Sequence, residues 1–221
     1  MTAATAEAVR IAVGSVALDG NLNLPEASAG LVIFAHGSGS SRFSKRNRAV
    51  AKVLEEASFG TLLLDLLTRD EEARDARTAE YRFDIARLGQ RVVGAADWVQ
   101  RQTRLRDLPL AYFGASTGAA AALIAAAARP AITRAVVSRG GRPDLAGDAL
   151  PAVQAPTLLI VGGADTPVIE MNRDAIRQMS APVALEIVPG ATHLFEEPGT
   201  LDQVATLAAE WCRRHLSAPV Q

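Results

Sequence analysis

The sequence predicts an α/β fold: a mostly parallel, twisted sheet with helices on both faces and no cap domain. Short, uniformly apolar runs alternate with segments whose apolar residues recur at helical spacing, and no internal repeat is present. One apolar run stops at a glycine and a serine, directly before an alanine-rich stretch. The 221 residues fit one domain, 1–221, and we expect residues 1–8 to be flexible.

The first half of the chain predicts a hairpin, two strands and two helices. Residues 9–24 contain two short strands joined near Gly14-Ser15, which predicts an antiparallel hairpin at one sheet edge. The following segments are predicted as a strand at 30–35, a helix at 46–57, a strand at 61–66 and a helix at 82–103. The intervening residues 68–81 are polar and of mixed charge, which predicts a solvated loop.

The second half continues the alternation. The apolar runs 108–113, 132–137, 156–161 and 184–188 predict strands, and the alanine-rich residues 119–128 predict a helix. Thr166-Pro167 is a plausible cap and first turn for a helix at 168–179. Thr200 and Gln203 form a candidate capping box for a last helix. Residues 138–155 leave no room for a helical cap between two of these strands, so we expect an open, shallow site.

A candidate nucleophile lies in Gly114-Ala115-Ser116-Thr117-Gly118, between a predicted strand and a predicted helix. A serine on such a sharp turn needs a glycine two residues before and after it, because a Cβ there would collide with the neighbouring strand or helix. The turn exposes the hydroxyl and leaves the first helical N–H groups unpaired, facing a developing oxyanion. The motif in this context predicts a nucleophilic Ser116.

Two further residues complete a candidate triad in the order serine, acid, histidine. Asp165 follows the strand 156–161, and His193 follows the strand 184–188. The carboxyl ends of parallel strands open onto one edge of a sheet, so Ser116, Asp165 and His193 are expected to meet there. The alternative is that Asp165 only starts a helix and His193 is an ordinary loop histidine.

A glycine-rich segment, His36-Gly37-Ser38-Gly39-Ser40-Ser41, follows the strand 30–35. We expect the backbone N–H groups of Ser38 and Thr117 to form an oxyanion hole, and His36 to brace the loop. A phosphate-binding loop is the alternative. The segment lacks the third glycine of a dinucleotide fingerprint and the Gly-Lys-Ser/Thr ending of a P-loop.

The segment Ser138-Arg139-Gly140-Gly141-Arg142 follows the strand 132–137 and is expected at the same sheet edge. Either arginine could bind a carboxylate or phosphate in the bidentate geometry that guanidinium groups favour. The other interpretation is that Arg142 forms a surface ion pair with Asp144 and the glycines only make a turn. Gly37, Arg139 and Arg142 are therefore the candidate substrate-binding residues.

These motifs, together with Pro-Gly-Ala-Thr-His-Leu-Phe at 189–195, resemble the dienelactone-hydrolase-like branch of the α/β-hydrolases. The resemblance covers about residues 10–216 and implies the α/β-hydrolase fold and the triad. Relatives of this kind are sometimes joined to a phosphoribosyltransferase domain, which this sequence lacks. True dienelactone hydrolases carry cysteine where this chain has Ser116, so the dienelactone substrate does not transfer. The single cysteine, Cys212, lies on the last predicted helix at a position that the helical spacing places in the core.

Composition narrows the function classes. A net charge of −1 gives no electrostatic signature for nucleic acid or an anionic membrane. One cysteine suits a reducing compartment, and residues 1–9 lack the features of a secretory signal, so we expect a cytoplasmic protein. The histidines fall in unrelated contexts, so neither a metal site nor a cofactor is expected.

The expected activity is hydrolysis of small-molecule esters, lactones or thioesters through an acyl-enzyme, by a monomer or homodimer. Two alternatives remain: an acyltransferase that uses the same triad, and a non-catalytic partner of a separate phosphoribosyltransferase.

Overall fold

The computed structural model describes residues 6–216, which form an α/β structure around one eight-stranded sheet. The strands are β1 (Glu7–Val13), β2 (Val16–Asn23), β3 (Leu31–Ala35), β4 (Gly60–Leu64), β5 (Leu110–Ala115), β6 (Thr133–Arg139), β7 (Thr157–Gly162) and β8 (Val183–Val188). The α-helices are α1 (Lys45–Glu56), α2 (Arg69–Thr78), α3 (Ile85–Arg101), α4 (Thr117–Ala128), α5 (Thr166–Ile176) and α6 (Thr200–Leu216). A 3₁₀ helix spans Pro143–Ala152.

The strand order is β1-β2-β4-β3-β5-β6-β7-β8. The hairpin β1–β2 is antiparallel and joins β4 in antiparallel register, whereas β3 to β8 pair in parallel. The carboxyl ends of β3, β5, β6, β7 and β8 therefore meet at one edge, hereafter the carboxyl edge. The predicted fold class and the edge hairpin are confirmed.

Helices cover both faces of the sheet because its central strands are apolar on both sides. In β3, Leu31, Ile33 and Ala35 belong to the buried cluster that packs against α3 and α4. Val32 and Phe34 point the other way, into the cluster shared with α1 and α6. The uniformly apolar runs in the sequence thus correspond to strands buried on both faces.

Residues 68–81, predicted as a loop, contain helix α2, so that prediction is wrong. The Thr68 hydroxyl accepts the Glu71 N–H, and the Glu71 carboxylate accepts the Thr68 N–H, which forms a capping box. The same carboxylate binds the Arg91 guanidinium of α3 at 2.6 Å. A helix with almost no apolar stripe is thus held by its caps and by ion pairs.

Three smaller expectations are also corrected. Glu7 and Ala8, placed in the flexible start, belong to β1, and residues 1–5 lie outside the described part. Asp165, not Thr166, is the N-cap of α5. The Thr200 hydroxyl donates to the Glu197 carbonyl instead of forming a capping box with Gln203.

Residues 138–155 carry only the 3₁₀ helix beyond the end of β6, with no separate cap domain between β6 and β7. Within residues 6–216 no helix combines the length and the apolarity needed to cross a membrane.

Candidate active site

Ser116 lies on a sharp turn between β5 and α4, at the carboxyl edge. Its backbone has φ 51° and ψ −123°, a conformation that L residues rarely adopt and that costs of order 1–3 kcal/mol. The surrounding backbone holds the turn. The Ser116 N–H donates to the Arg139 carbonyl at 3.2 Å, and the Ser116 carbonyl accepts the Arg142 N–H at 3.1 Å.

The two glycines of the turn are sterically required. A Cβ on Gly114 would collide with the backbone of Ala119 in α4. A Cβ on Gly118 would collide with the carbonyl oxygens of Ala35 and His36 at the end of β3. As predicted, glycines are needed at these two positions because helix, strand and turn are in close contact there.

The structure brings Ser116, His193 and Asp165 together. The Ser116 hydroxyl lies 3.3 Å from His193 Nε2, and His193 Nδ1 lies 2.7 Å from Asp165 Oδ2. Since Nδ1 faces a carboxylate, the neutral imidazole carries its proton there and Nε2 is free to accept the hydroxyl proton. Asp165 is the N-cap of α5, but its side chain makes no capping bond and binds the imidazole instead.

The loop that carries His193 is fixed by contacts of Glu196 and Glu197, which no sequence pattern indicated. The Glu197 carboxylate accepts both the Thr192 N–H, at 3.1 Å, and the Thr192 hydroxyl, at 2.6 Å. These hydrogen bonds, that from the Thr192 hydroxyl first, lower the pKa of Glu197. The neighbouring Glu196 pairs with Arg46 of α1 at 3.1 Å. The backbone on either side of the imidazole is thus tied to its own loop and to α1.

The loop after β3 packs directly on the Ser116 turn. The Ser38 N–H donates to the Thr117 hydroxyl oxygen at 2.9 Å, and a Cβ on Gly37 would lie only 3.1 Å from Ser116 Cβ. Both candidate oxyanion donors, the N–H groups of Ser38 and Thr117, therefore lie next to Ser116. The Ser38 N–H already donates to the Thr117 hydroxyl.

His36 braces this loop from behind. Its Nε2 accepts the Leu66 N–H at 3.0 Å, and its Nδ1 donates to the Gly37 carbonyl at 2.9 Å. Burial lowers the pKa of His36, which keeps the imidazole neutral and able to accept.

A cavity of about 210 Å³ opens beside Ser116 and is also bordered by His193, Gly37, Ser38 and Arg139. Gly37 and Arg139, two of the candidate substrate-binding residues, thus lie at the cavity. Arg142 does not, because its Nε and Nη2 donate to the two carboxylate oxygens of Asp144 at 2.9 and 2.7 Å. A second cavity, of about 270 Å³, also adjoins residues 36–41.

Two polar residues of α1, Arg46 and Asn47, also line the 210 Å³ cavity. Nothing in the local sequence of α1 marked them as site residues. Their only signal was that α1 follows the glycine-rich loop within a few residues.

The described residues offer neither a reactive cysteine nor a cluster of metal ligands. Cys212 is fully buried on α6, and burial raises the pKa of its thiol to about 12, so it offers no thiolate nucleophile. No group of three or more His, Cys, Asp or Glu side chains in residues 6–216 is placed to hold a metal ion.

The mostly parallel sheet, with a serine on a strained strand-to-helix turn, defines the chain as an α/β-hydrolase. Residues 18–217 match the model of the Dienelactone hydrolase family, and the chain belongs to that family. The crystal structure of dienelactone hydrolase from Anabaena variabilis is similar, with a TM-score of 0.95. The two sequences are 56% identical, and the match covers 97% of this chain and 99% of that one.

Two curated relatives from Mycobacterium tuberculosis strains carry the name "Putative phosphoribosyl transferase" and are 55% identical over 213 residues. The match covers 96% of this chain but 47% of theirs, so the chain spans about half the length of these relatives. Est1E from Butyrivibrio proteoclasticus has a TM-score of 0.79 over 96% of this chain and 99% of its own. At 17% identity, that similarity concerns the fold alone.

Proposed function

We propose that this α/β-hydrolase cleaves small carboxylic esters, lactones or thioesters through an acyl-enzyme on Ser116. One observation carries the proposal: the hydrogen-bonded series Ser116–His193–Asp165 on a strained turn at the carboxyl edge. We further propose a cytoplasmic enzyme, monomeric or homodimeric, that acts on small molecules without a cofactor.

The first half-reaction is nucleophilic attack by Ser116 Oγ on the acyl carbon. His193 Nε2 takes the hydroxyl proton as general base and later gives it to the leaving alcohol or thiol. Asp165 keeps the imidazole in the tautomer with the proton on Nδ1 and stabilises the imidazolium that forms. Water, activated by His193 in the same way, then releases the acid.

The oxyanion is held by the backbone N–H groups of Ser38 and Thr117. Donors of this type lower the barrier by about 3–4 kcal/mol each. The Ser38 N–H is directed at the Thr117 hydroxyl before substrate binds. A developing oxyanion is a stronger acceptor than a hydroxyl and shares this N–H with the Thr117 hydroxyl in the transition state.

Hydrolysis is favoured over acyl transfer because residues 138–155 hold no cap that would exclude water from the nucleophile. The name of the curated relatives favours a second candidate, a domain that works beside a phosphoribosyltransferase without catalysis of its own. Reaction of Ser116 with a fluorophosphonate separates the two, since a non-catalytic domain has no need of an activated serine.

The test is a screen of p-nitrophenyl esters, aryl thioesters and small lactones with the wild type and Ser116→Ala. We expect Ser116→Ala to lower kcat by about 10³-fold or more, as loss of a triad nucleophile does. Its thermal midpoint should be unchanged or raised, because the turn stores strain. Asp165→Asn should also lose most activity with its fold intact.

Ser180→Ala, at an exposed serine beyond α5, is the matched control and should keep wild-type turnover. Full activity of Ser116→Ala would overturn the proposal.

A further inference from the structure

Arg139 is a buried arginine without a carboxylate partner. The whole residue is only 7% exposed. Among the described residues its side chain makes one hydrogen bond, in which Nη2 donates to Asn47 Oδ1 at 3.3 Å. Its Nε is buried and unpaired. Arg91, which is 8% exposed, shows the usual arrangement, since it binds Glu71 at 2.6 Å. A guanidinium removed from water without an anion is costly, so Arg139 calls for a functional explanation.

A second guanidinium increases that cost. Burial, and then the positive charge of Arg46, lower the pKa of Arg139 to about 10. At neutral pH Arg139 is still charged. Arg46 binds Glu196 at 3.1 Å, but its Nε is also buried without a partner. Two cations with unused donors therefore face the same small region of the protein.

That region is the cavity beside the nucleophile. In the β5–β6 register Arg139 pairs with Ala115, the residue before Ser116. Arg139, Arg46 and Asn47 all line the 210 Å³ cavity that Ser116 and His193 border. No Asp or Glu is among the described residues that line it, whereas Ser40 and Ser44 add hydroxyl groups. The described lining of the cavity thus contains two guanidinium groups and several hydroxyl groups but no carboxylate.

We propose that Arg139, assisted by Arg46, binds a negatively charged group of the substrate, a carboxylate or a phosphate. Arg139 is then a specificity-determining residue, and the preferred substrates are anionic esters, lactones or thioesters. The inference rests on the proposed hydrolase function. It explains why a cation is kept buried beside the nucleophile, because an oxyanion supplies the missing charge and accepts two N–H groups of the planar guanidinium.

The experiment compares isosteric charged and neutral esters. In the first series the acyl group is acetyl, and the alcohols are 3-hydroxybenzoate, 3-hydroxyphenyl phosphate and the neutral 3-hydroxybenzamide. In the second series the alcohol is phenol, and the acyl group is adipate or its neutral monoamide. The first series separates carboxylate from phosphate, and the pair of series shows which part of the substrate carries the charge.

The variants are Arg139→Gln and Arg139→Lys, with Arg134→Gln as the matched control. Arg134 lies on the same strand, β6, but is exposed. We expect Arg139→Gln to lower kcat/KM for a charged ester about tenfold or more relative to its neutral partner, the scale of a hydrogen bond to a charged group. Arg139→Lys should recover part of this loss, and Arg134→Gln should show none.

If Arg139→Gln does not fold, Arg46→Gln provides the measurement. Arg46 lies at the cavity rim, so Arg46→Gln should also lower kcat/KM for the charged esters more than for the neutral ones. An equal loss for charged and neutral partners in both series would overturn the anion site while leaving hydrolysis intact.

Binding to Ser116→Ala separates this result from a failure of the proposed function. We expect 3-hydroxybenzoate to bind Ser116→Ala more tightly than 3-hydroxybenzamide by calorimetry, and this preference to disappear with the added Arg139→Gln. If no ester is hydrolysed but the preference is seen, the hydrolase proposal fails and the anion site stands. If neither variant nor ligand charge changes binding, the anion site fails.

Discussion

Thr117 connects the Ser116 turn to the loop that carries Ser38, the other candidate oxyanion donor. It is the first residue of α4, where a backbone N–H has no partner within the helix. Its hydroxyl accepts the N–H of Ser38, a residue 79 positions earlier in the chain. The Ser38 N–H, one candidate oxyanion donor, is therefore held by the side chain of the residue whose backbone carries the other candidate donor. Such preorganisation of donors is what stabilises an oxyanion.

Replacement of Thr117 by valine keeps the side-chain volume but removes the acceptor. We expect Thr117→Val to lower kcat for p-nitrophenyl acetate about three- to tenfold, the scale of one neutral hydrogen bond, and Thr117→Ser to restore most of it. Thr206→Val, on an exposed face of α6, is the control. An unchanged or higher kcat in Thr117→Val would mean that the hydroxyl only competes with the oxyanion for the Ser38 N–H.

At the residue level, the sequence predicted the groups that follow strand ends. Ser116, Asp165 and His193 could be found because a parallel sheet brings the ends of β5, β7 and β8 to one edge, whatever the distances along the chain. Arg46 could not be found in this way. It reaches the site from α1, and the crossing of a helix over a sheet edge depends on packing that no local pattern encodes.

At the level of elements, α2 shows how a helix can escape a search for periodic apolar residues. Asp75 is its one buried residue, so no apolar stripe exists to be read. The pair Thr68 and Glu71 has the spacing of a capping box, and that was the available signal. The elements found correctly, such as β3 and α3, are those whose apolar residues fill the core.

Asp75 fixes the turn from α2 to α3. Its Oδ1 accepts the N–H groups of Tyr81 and Arg82 at 2.7 and 2.9 Å, and its Oδ2 accepts Arg82 Nε at 2.7 Å. Burial alone would raise the pKa of Asp75, but these hydrogen bonds and the Arg82 charge outweigh it and lower the pKa. Asp75 also lines the 270 Å³ cavity that adjoins residues 36–41, so this turn forms one wall of that cavity.

Because the pKa of Asp75 is lower in the folded than in the unfolded chain, its charge stabilises the fold at neutral pH. That contribution is lost as the pH falls through the folded-state pKa. We expect Asp75→Asn to lower the free energy of unfolding by about 1–3 kcal/mol at pH 7, measured by urea denaturation. The difference from the wild type should shrink below about pH 4, near the ordinary range of aspartate.

Asp107→Asn, at a side chain that is 89% exposed, serves as the control for this experiment. A constant difference between Asp75→Asn and the wild type from pH 7 to pH 3 would show that the carboxylate charge plays no part.

For the whole molecule, the parallel topology explains why the site is assembled from distant segments on one open edge. The loop after β3, the turn after β5 and the segments after β6, β7 and β8 all end there. Between β6 and β7 the chain inserts only the 3₁₀ helix Pro143–Ala152, without a cap domain that would enclose a long apolar substrate. The two cavities that adjoin residues 36–41 offer limited space for a substrate.

This limit predicts a preference for small acyl groups. The cavity at Ser116, about 210 Å³, is below the roughly 300–1,000 Å³ typical of sites for drug-sized ligands. The larger cavity contains Leu66 and Leu88 but also Asp65, Glu72 and Asp75, so charged residues interrupt the apolar surface that a long alkyl chain would need. We expect kcat/KM for p-nitrophenyl esters to be highest for acetate or butyrate and to fall by about tenfold or more by decanoate. The measurement requires substrate concentrations below the onset of micelles. A steady rise from butyrate to decanoate would contradict the prediction, since it would mean that each added CH₂ is buried in an apolar channel and contributes up to about 0.8 kcal/mol.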